Sequence, residues 1–307
     1  MDRDLETFLT ALYVIVEDFS QRPIAPQRPA CGGPAAQRSD SAVLCLGVAA
    51  QWRSGVPWKS ARGLRRYVRK HLGPWCPTGR TPSAFPRRLR RLWGAFLLLP
   101  DAVAEPLGDG GPSHVMEGCP RPVAHGARSV PPGWFADIAR LGTGGNARYF
   151  YGVRMLMGSN PHGVATGWTL ASGHGQARWV AEVLCSTRAG VPGGQGPRDA
   201  EAPQPTMAPP REWRAVLPRG GALSPPPILT ERGFRGEDGL THWASADGVH
   251  VCPPPKAAAR AQRRGWSAAR QGVETAWAHV RASCGLKYPG AHSSGGLLRR
   301  VAAKVAA

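Results

Sequence analysis

Apolar residues recur at helical spacing over the first hundred positions and at strand spacing after them. In residues 4–19, Leu5, Phe8, Leu9, Leu12, Tyr13 and Val16 fall on one face of a 3.6-residue period, which predicts a first helix. Residues 21–38 are rich in Pro, Arg and Gly and read as a linker. Ser39 and Asp40 can cap a second helix over about 40–53, with Val43, Leu44, Leu46, Val48 and Trp52 as its apolar set. A basic helix is expected over 57–71, with Leu64, Tyr67 and Val68 turned inward. Thr81-Pro82 offers a cap and a first-turn proline for a further helix through Phe85, Leu89, Leu92, Trp93, Phe96 and Leu97. Residues 101–113 read as a domain boundary.

Beyond that boundary short apolar runs replace the long period. Val115-Met116 leads into Glu117. Residues 148–157 (RYFYGVRMLM) and 163–170 (GVATGWTL) flank Gly158-Ser159-Asn160-Pro161 and read as a hairpin. Residues 175–188 return to helical spacing, and 189–227 form a Gly/Pro-rich insertion with few apolar positions. A strand at 228–231, a helix at about 236–246, a strand at 249–252 and a helix at about 266–282 follow, with a last helix introduced by Gly295-Gly296. The reading is thus of two parts: a helical region over 1–108, and an α/β region over 109–307.

Charge sharpens this picture. The chain of 307 residues carries a formal net charge of +19, and five of its 39 basic residues are Lys and the other 34 Arg. Such a balance suits a phosphate-rich partner, because phosphate neutralisation supplies much of nucleic-acid affinity. The basic residues cluster on the two predicted helices as Arg65, Arg66, Arg69, Arg87, Arg88, Arg90 and Arg91, which could enter a DNA groove or simply solvate exposed faces. The seven cysteines stand singly, without a CxxC pair, which argues against a structural zinc site and fits reduced thiols. No apolar run approaches the ~20 residues of a membrane span, so no membrane partner is expected.

Three acids fall where a metal site could form: Glu117 and Glu231 at the ends of short apolar runs, and Glu274 on a helix face. Alone, Glu117 and Glu231 read as surface charges and Glu274 as an exposed residue paired with Arg270 one turn earlier. Together they could hold a divalent cation through carboxylate oxygens. Lys256, Arg263 and Arg264 precede the third acid and could grip a phosphodiester strand, with Arg154 and Arg232 as weaker choices.

In element order and motifs the chain resembles the DDE-type transposases of bacterial insertion sequences. DLETFLTALYVIVEDF looks like their first helix, and SDSAVLCLGVAAQW with RLRRLW like their helical N-terminal region. HVMEGCPRPV stands at the place of V-x-D-S-x-P, and YFYGVRMLM with GVATGWTL resembles the hairpin that follows. ILTERGFRG resembles A-D-K-G-F; VCPPPK and RQGVETAW resemble C-P-P-K and R-x-x-V-E-T-x-F. The resemblance implies a ribonuclease-H-like catalytic core behind a small all-helical N-terminal domain. It implies a transposase that binds element terminal repeats and target DNA in the bacterial cytoplasm, at the nucleoid, and cleaves and transfers strands with Mg²⁺, or Mn²⁺ in its place. A homo-oligomer is an option it leaves open. It assigns Glu117, Glu231 and Glu274 as catalytic metal ligands. The chain departs from the pattern by carrying Glu where the family's two Asp fall, and Gly118 where a Ser is usual. Those changes lead to the expectation of weak or absent catalysis; the alternative is a DNA-binding remnant that does not cut.

Overall fold

The computed structural model describes residues 3–21, 39–71, 84–104, 114–123, 135–144, 149–160, 162–174, 180–181, 206–207, 228–230, 234, 240–241, 244–245, 250–253, 260–287 and 290–307. Among these, seven helices and seven strands build a mixed α/β chain. By contacts it divides into two units: Met1–Val103 with His279–Leu286 and Arg299–Ala307, and Ala104–Ala278 with Lys287–Leu298.

The first unit is helical. Helices α1 (Arg3–Gln21), α2 (Asp40–Ala49), α3 (Ala61–His71), α4 (Ala84–Arg91) and α5 (Ala95–Ala104) follow in order. Ser39 caps α2, its hydroxyl accepting from the Ala42 amide at 3.1 Å, which satisfies one of the donors every helix start leaves over. The helix expected over 40–53 ends at Ala49, and that expected to run unbroken from 82 is two helices parted by a turn at 92–94. Gly94 sits in that turn, and Pro100 lies inside the second helix. The core gathers Leu46, Ala49, Ala50, Trp58, Leu64 and Val68, with Leu5, Leu9, Leu12 and Phe85 against it. No helix among the described residues is long and apolar enough to cross a membrane.

The C-terminal segments add a buried ion to this unit. Lys304 is 2% exposed, and its ammonium donates to the Cys284 carbonyl. Burial, and then Arg53, push its pKa down from 10.5 to about 8, with Cys284 acting the other way. Burial likewise pushes the Cys284 thiol up from 9.0 to about 11. Between about pH 8 and 10.5 the unfolded chain holds the Lys304 proton that the folded chain has released, so this lysine makes stability rise with pH. Cys284 opposes it from about pH 9, since the unfolded thiol ionises first. The expected result is a gain of at most about 1.4 kcal/mol from pH 8 to 9, levelling above that. Urea titrations at closely spaced pH values check it: a flat profile contradicts the expectation, and Lys304→Met should remove the rise.

The second unit is built on a sheet. Its strands are β1 (His114–Pro122), β2 (Arg140–Thr143), β3 (Tyr149–Ser159), β4 (Ala165–Ser172), β5 (Thr206–Met207), β6 (Ile228–Leu229) and β7 (Val251–Cys252). The order is β5-β4-β3-β1-β6-β7, with β2 also paired to β3. β1, β3, β4 and β5 pair antiparallel, while β1 with β6 and β6 with β7 are parallel. The hairpin expected at 148–170 is β3 and β4; its turn is organised by Asn160, whose side chain accepts from the amides of His162 and Val164.

β2 was not expected from the pattern. It pairs with Tyr149–Gly152 of β3, while β4 pairs with β3 from Val153 onward, so the two meet end to end along one edge of β3. Glycine makes that junction possible. A Cβ on Gly142 would stand 2.0 Å from the Gly173 carbonyl oxygen at this junction, and where β3 pairs with β1 a Cβ on Gly152 would stand 2.2 Å from the Arg121 carbonyl oxygen. Both obstacles are backbone, so Gly142→Ala or Gly152→Ala should destabilise by about 2 kcal/mol or more. A denaturant midpoint unchanged in either variant would show that the strands can part at little cost.

One sheet face carries Met116, Leu156, Ala171, Ile228 and Val251, packed with Val180, Ala181, Phe234 and Leu240. Helix α6 (Arg260–Ala282) lies on the other face, and α7 (Ser294–Val305) closes the chain with Ser293 accepting from the Gly296 amide.

Candidate active site

Strand β1 carries the first acid. Side chains alternate along a strand, so Val115, Glu117, Cys119 and Arg121 share the face opposite Met116. Glu117 lies within β1 rather than at its end, opposite Met157 of β3. β1 tolerates Pro120 and Pro122 because its second neighbour, β6, pairs only at His114 and Val115 among the described residues.

Helix α6 carries the other described acid. Arg270, Glu274 and Trp277 stand at i, i+4 and i+7, one face of the helix. That face meets β1 at two points. The Arg121 guanidinium lies 4.7 Å from the centre of the Trp277 ring, both residues being buried. The Arg270 guanidinium lies 3.1 Å from the Glu274 carboxylate and 3.8 Å from that of Glu117, a single nitrogen facing both. The four-residue step from Glu117 to Arg121 spans about 13 Å of strand. The seven-residue step from Arg270 to Trp277 spans about 10 Å of helix, so α6 runs along β1 in the same sense.

Glu117 and Glu274 thus come to one cation. The side chain of Arg270 is 32% exposed, that of Glu117 23% and that of Glu274 56%. The helical pair Arg270–Glu274 follows from the spacing alone; the reach from Arg270 to Glu117 does not. The arrangement can neutralise one positive charge with two carboxylates, or offer hard oxygen donors to a divalent ion. Glu231, Arg232 and Lys256 lie outside the described residues, as does the side chain of Arg263. Among the described residues no group of three or more His, Cys, Asp or Glu could hold a metal ion. Arg264 is exposed on α6, and Arg154 donates to the Thr143 carbonyl at 2.9 Å. Arg121 is the site-facing cation that sequence reading passes over; its only signal is the even spacing from Glu117.

The basic helices are sorted by their partners. On α3, Leu64 and Val68 are buried, while Arg62, Arg66, Arg69 and Lys70 are exposed on the opposite side and Arg65 is half-buried. On α4, Arg87, Arg90 and Arg91 are exposed. Arg88 instead donates to Asp40 at 2.7 Å and is half-buried, and burial lowers its pKa. It joins α4 to the start of α2. Among the nine tryptophans beyond Trp52 and Trp58, Trp168 and Trp277 are core, while the side chains of Trp243 and Trp266 lie outside the described residues.

No family model, curated protein or solved structure matches this chain.

Proposed function

We propose that the chain is a DNA transposase of the insertion-sequence type, with a ribonuclease-H-like core, whose catalysis is impaired by Glu in place of Asp. The observation that carries this reading is the meeting of Glu117 on β1 and Glu274 on α6 at the Arg270 guanidinium. The sheet order adds support: an antiparallel run of β4, β3 and β1 continues into parallel β6 and β7. Glu117 follows Val115 by two residues, and Glu231 follows Leu229, the parallel partner of Val115, also by two. Carboxylates alone make up the donor set, which fits Mg²⁺ or Mn²⁺. Glu117, Glu231 and Glu274 would hold it, and when bound it would supply activation of the attacking oxygen and stabilisation of the leaving one. The chain's own basic residues, on α3 and α4 and at Arg264, neutralise and orient the phosphate backbone.

A second reading is a DNA-binding remnant without catalysis. It is favoured by the ion pairing itself, since Arg270 already pairs with both acids and offsets one of their two charges. Incubation of the full chain with labelled terminal-repeat duplex and Mg²⁺ or Mn²⁺ separates the two. Slow cleavage that disappears in Glu117→Gln supports the transposase. Binding without cleavage under any metal supports the remnant. Vigorous Mg²⁺-dependent cleavage would remove the impairment, and absence of DNA binding would remove both.

A further inference from the structure

The Glu117–Arg270–Glu274 contact has a property that an ordinary helical ion pair lacks: one guanidinium nitrogen faces carboxylates on two different elements. A cation therefore already stands where β1 and α6 bring two acids together. Its stem belongs to α6, and the Trp277 contact about two turns on fixes that face of the helix against β1. The guanidinium leaves the acids by a movement of its flexible stem. A divalent ion approaching them meets a like charge at a few ångströms, in a setting partly screened by water.

We propose that Arg270 is the resident counter-cation of the Glu117–Glu274 pair and competes with a divalent ion for it. The proposal rests on the reading of those two acids as metal ligands. It assigns Arg270 a regulatory role: metal affinity is set by where the guanidinium goes, and in the metal-free site the chain itself offsets one of the pair's two negative charges.

Calorimetric titration of Mn²⁺ into the full chain tests it directly. Removing a unit charge about 5 Å from a divalent ion, at a dielectric between protein and water, should tighten binding about tenfold or more. Arg270→Gln is expected to gain that factor over wild type. Arg270→Lys keeps the charge and should bind as weakly as wild type. Adding Glu274→Gln to Arg270→Gln should abolish the gain. Arg270→Gln that binds Mn²⁺ no more tightly than wild type, with its helical circular dichroism intact, overturns the proposal. Arg270→Met carries the same expectation with the stem's packing kept. Failure of every Arg270 variant to fold also overturns it, because a competing ion is dispensable for folding. Tighter Mn²⁺ binding without cleavage by any variant supports this inference and counts against the transposase. Cleavage that needs Glu117, with Mn²⁺ affinity indifferent to Arg270, supports the transposase and overturns this inference.

Discussion

The double variant Glu117→Asp, Glu231→Asp should cleave DNA about 10²-fold faster than wild type with Mg²⁺. Each Glu sets its carboxylate one methylene farther from the backbone than Asp would. In a reacting geometry a misplacement on the order of 1 Å costs about 10²-fold in rate. The shorter side chain at position 117 would also withdraw from Arg270, which reaches Glu117 at 3.8 Å but Glu274 at 3.1 Å. That leaves the guanidinium to its helical partner and frees the strand's acid. Single-turnover cleavage of labelled duplex is the measurement, with each single variant expected between wild type and the double. A double variant that folds as wild type and cleaves no faster would show that side-chain length is not what limits this chain.

Trp58→Ala should cost the helical unit about 3–5 kcal/mol. Trp58 is 1% exposed and packs with Leu46, Ala49, Ala50, Leu64 and Val68. Its indole N–H donates to the Ala49 carbonyl at 3.0 Å. Ala49 ends α2, where carbonyls lack intrahelical partners, and the Trp52 amide at 3.3 Å is its other donor. The ring also lies 5.3 Å from that of Tyr67 on α3, so one side chain ties α2 to α3. Whole-domain stability is typically about 5–15 kcal/mol, so the loss is a large share. Urea unfolding followed by circular dichroism reads it. Trp58→Phe, which keeps an aromatic ring but loses the donor, should cost less. A loss under about 1 kcal/mol in Trp58→Ala would mean that the core closes over the gap. Because the exposed basic residues of α3 stand opposite its buried face, Trp58→Ala should weaken DNA binding as well.

The helices were legible where one face is continuously apolar. α1 and α3 follow from the 3.6-residue period, and Ser39 marks the start of α2. The break at 92–94 was not, because the apolar spacing of Leu89, Leu92, Trp93 and Phe96 runs straight through it. Strand β1 was read only as far as Glu117, since two prolines follow; β3 alone pairs with that part of it among the described residues. β2 is four residues with one of them buried, too little for any alternation to register. At the candidate site, the Arg270–Glu274 pair is a matter of helical spacing, whereas the approach of Arg270 to Glu117 depends on where α6 lies over β1. Likewise the exposed arginines of α3 and α4 read alike in sequence, and only the position of Asp40 sets Arg88 apart.

The parallel contact between β1 and β6 has a consequence for the order in which the chain folds. β1, β3 and β4 are near neighbours in sequence, and their antiparallel pairing closes short loops. β6 joins β1 through two residue pairs only, His114 with Ile228 and Val115 with Leu229. That junction closes a loop of more than a hundred residues, and non-local closure is what slows folding. The antiparallel half can therefore assemble early, with Glu117 already on it, while the parallel strands that lead to Glu231 dock late. Glu117 would then be in place on its strand before the parallel part of the sheet is completed.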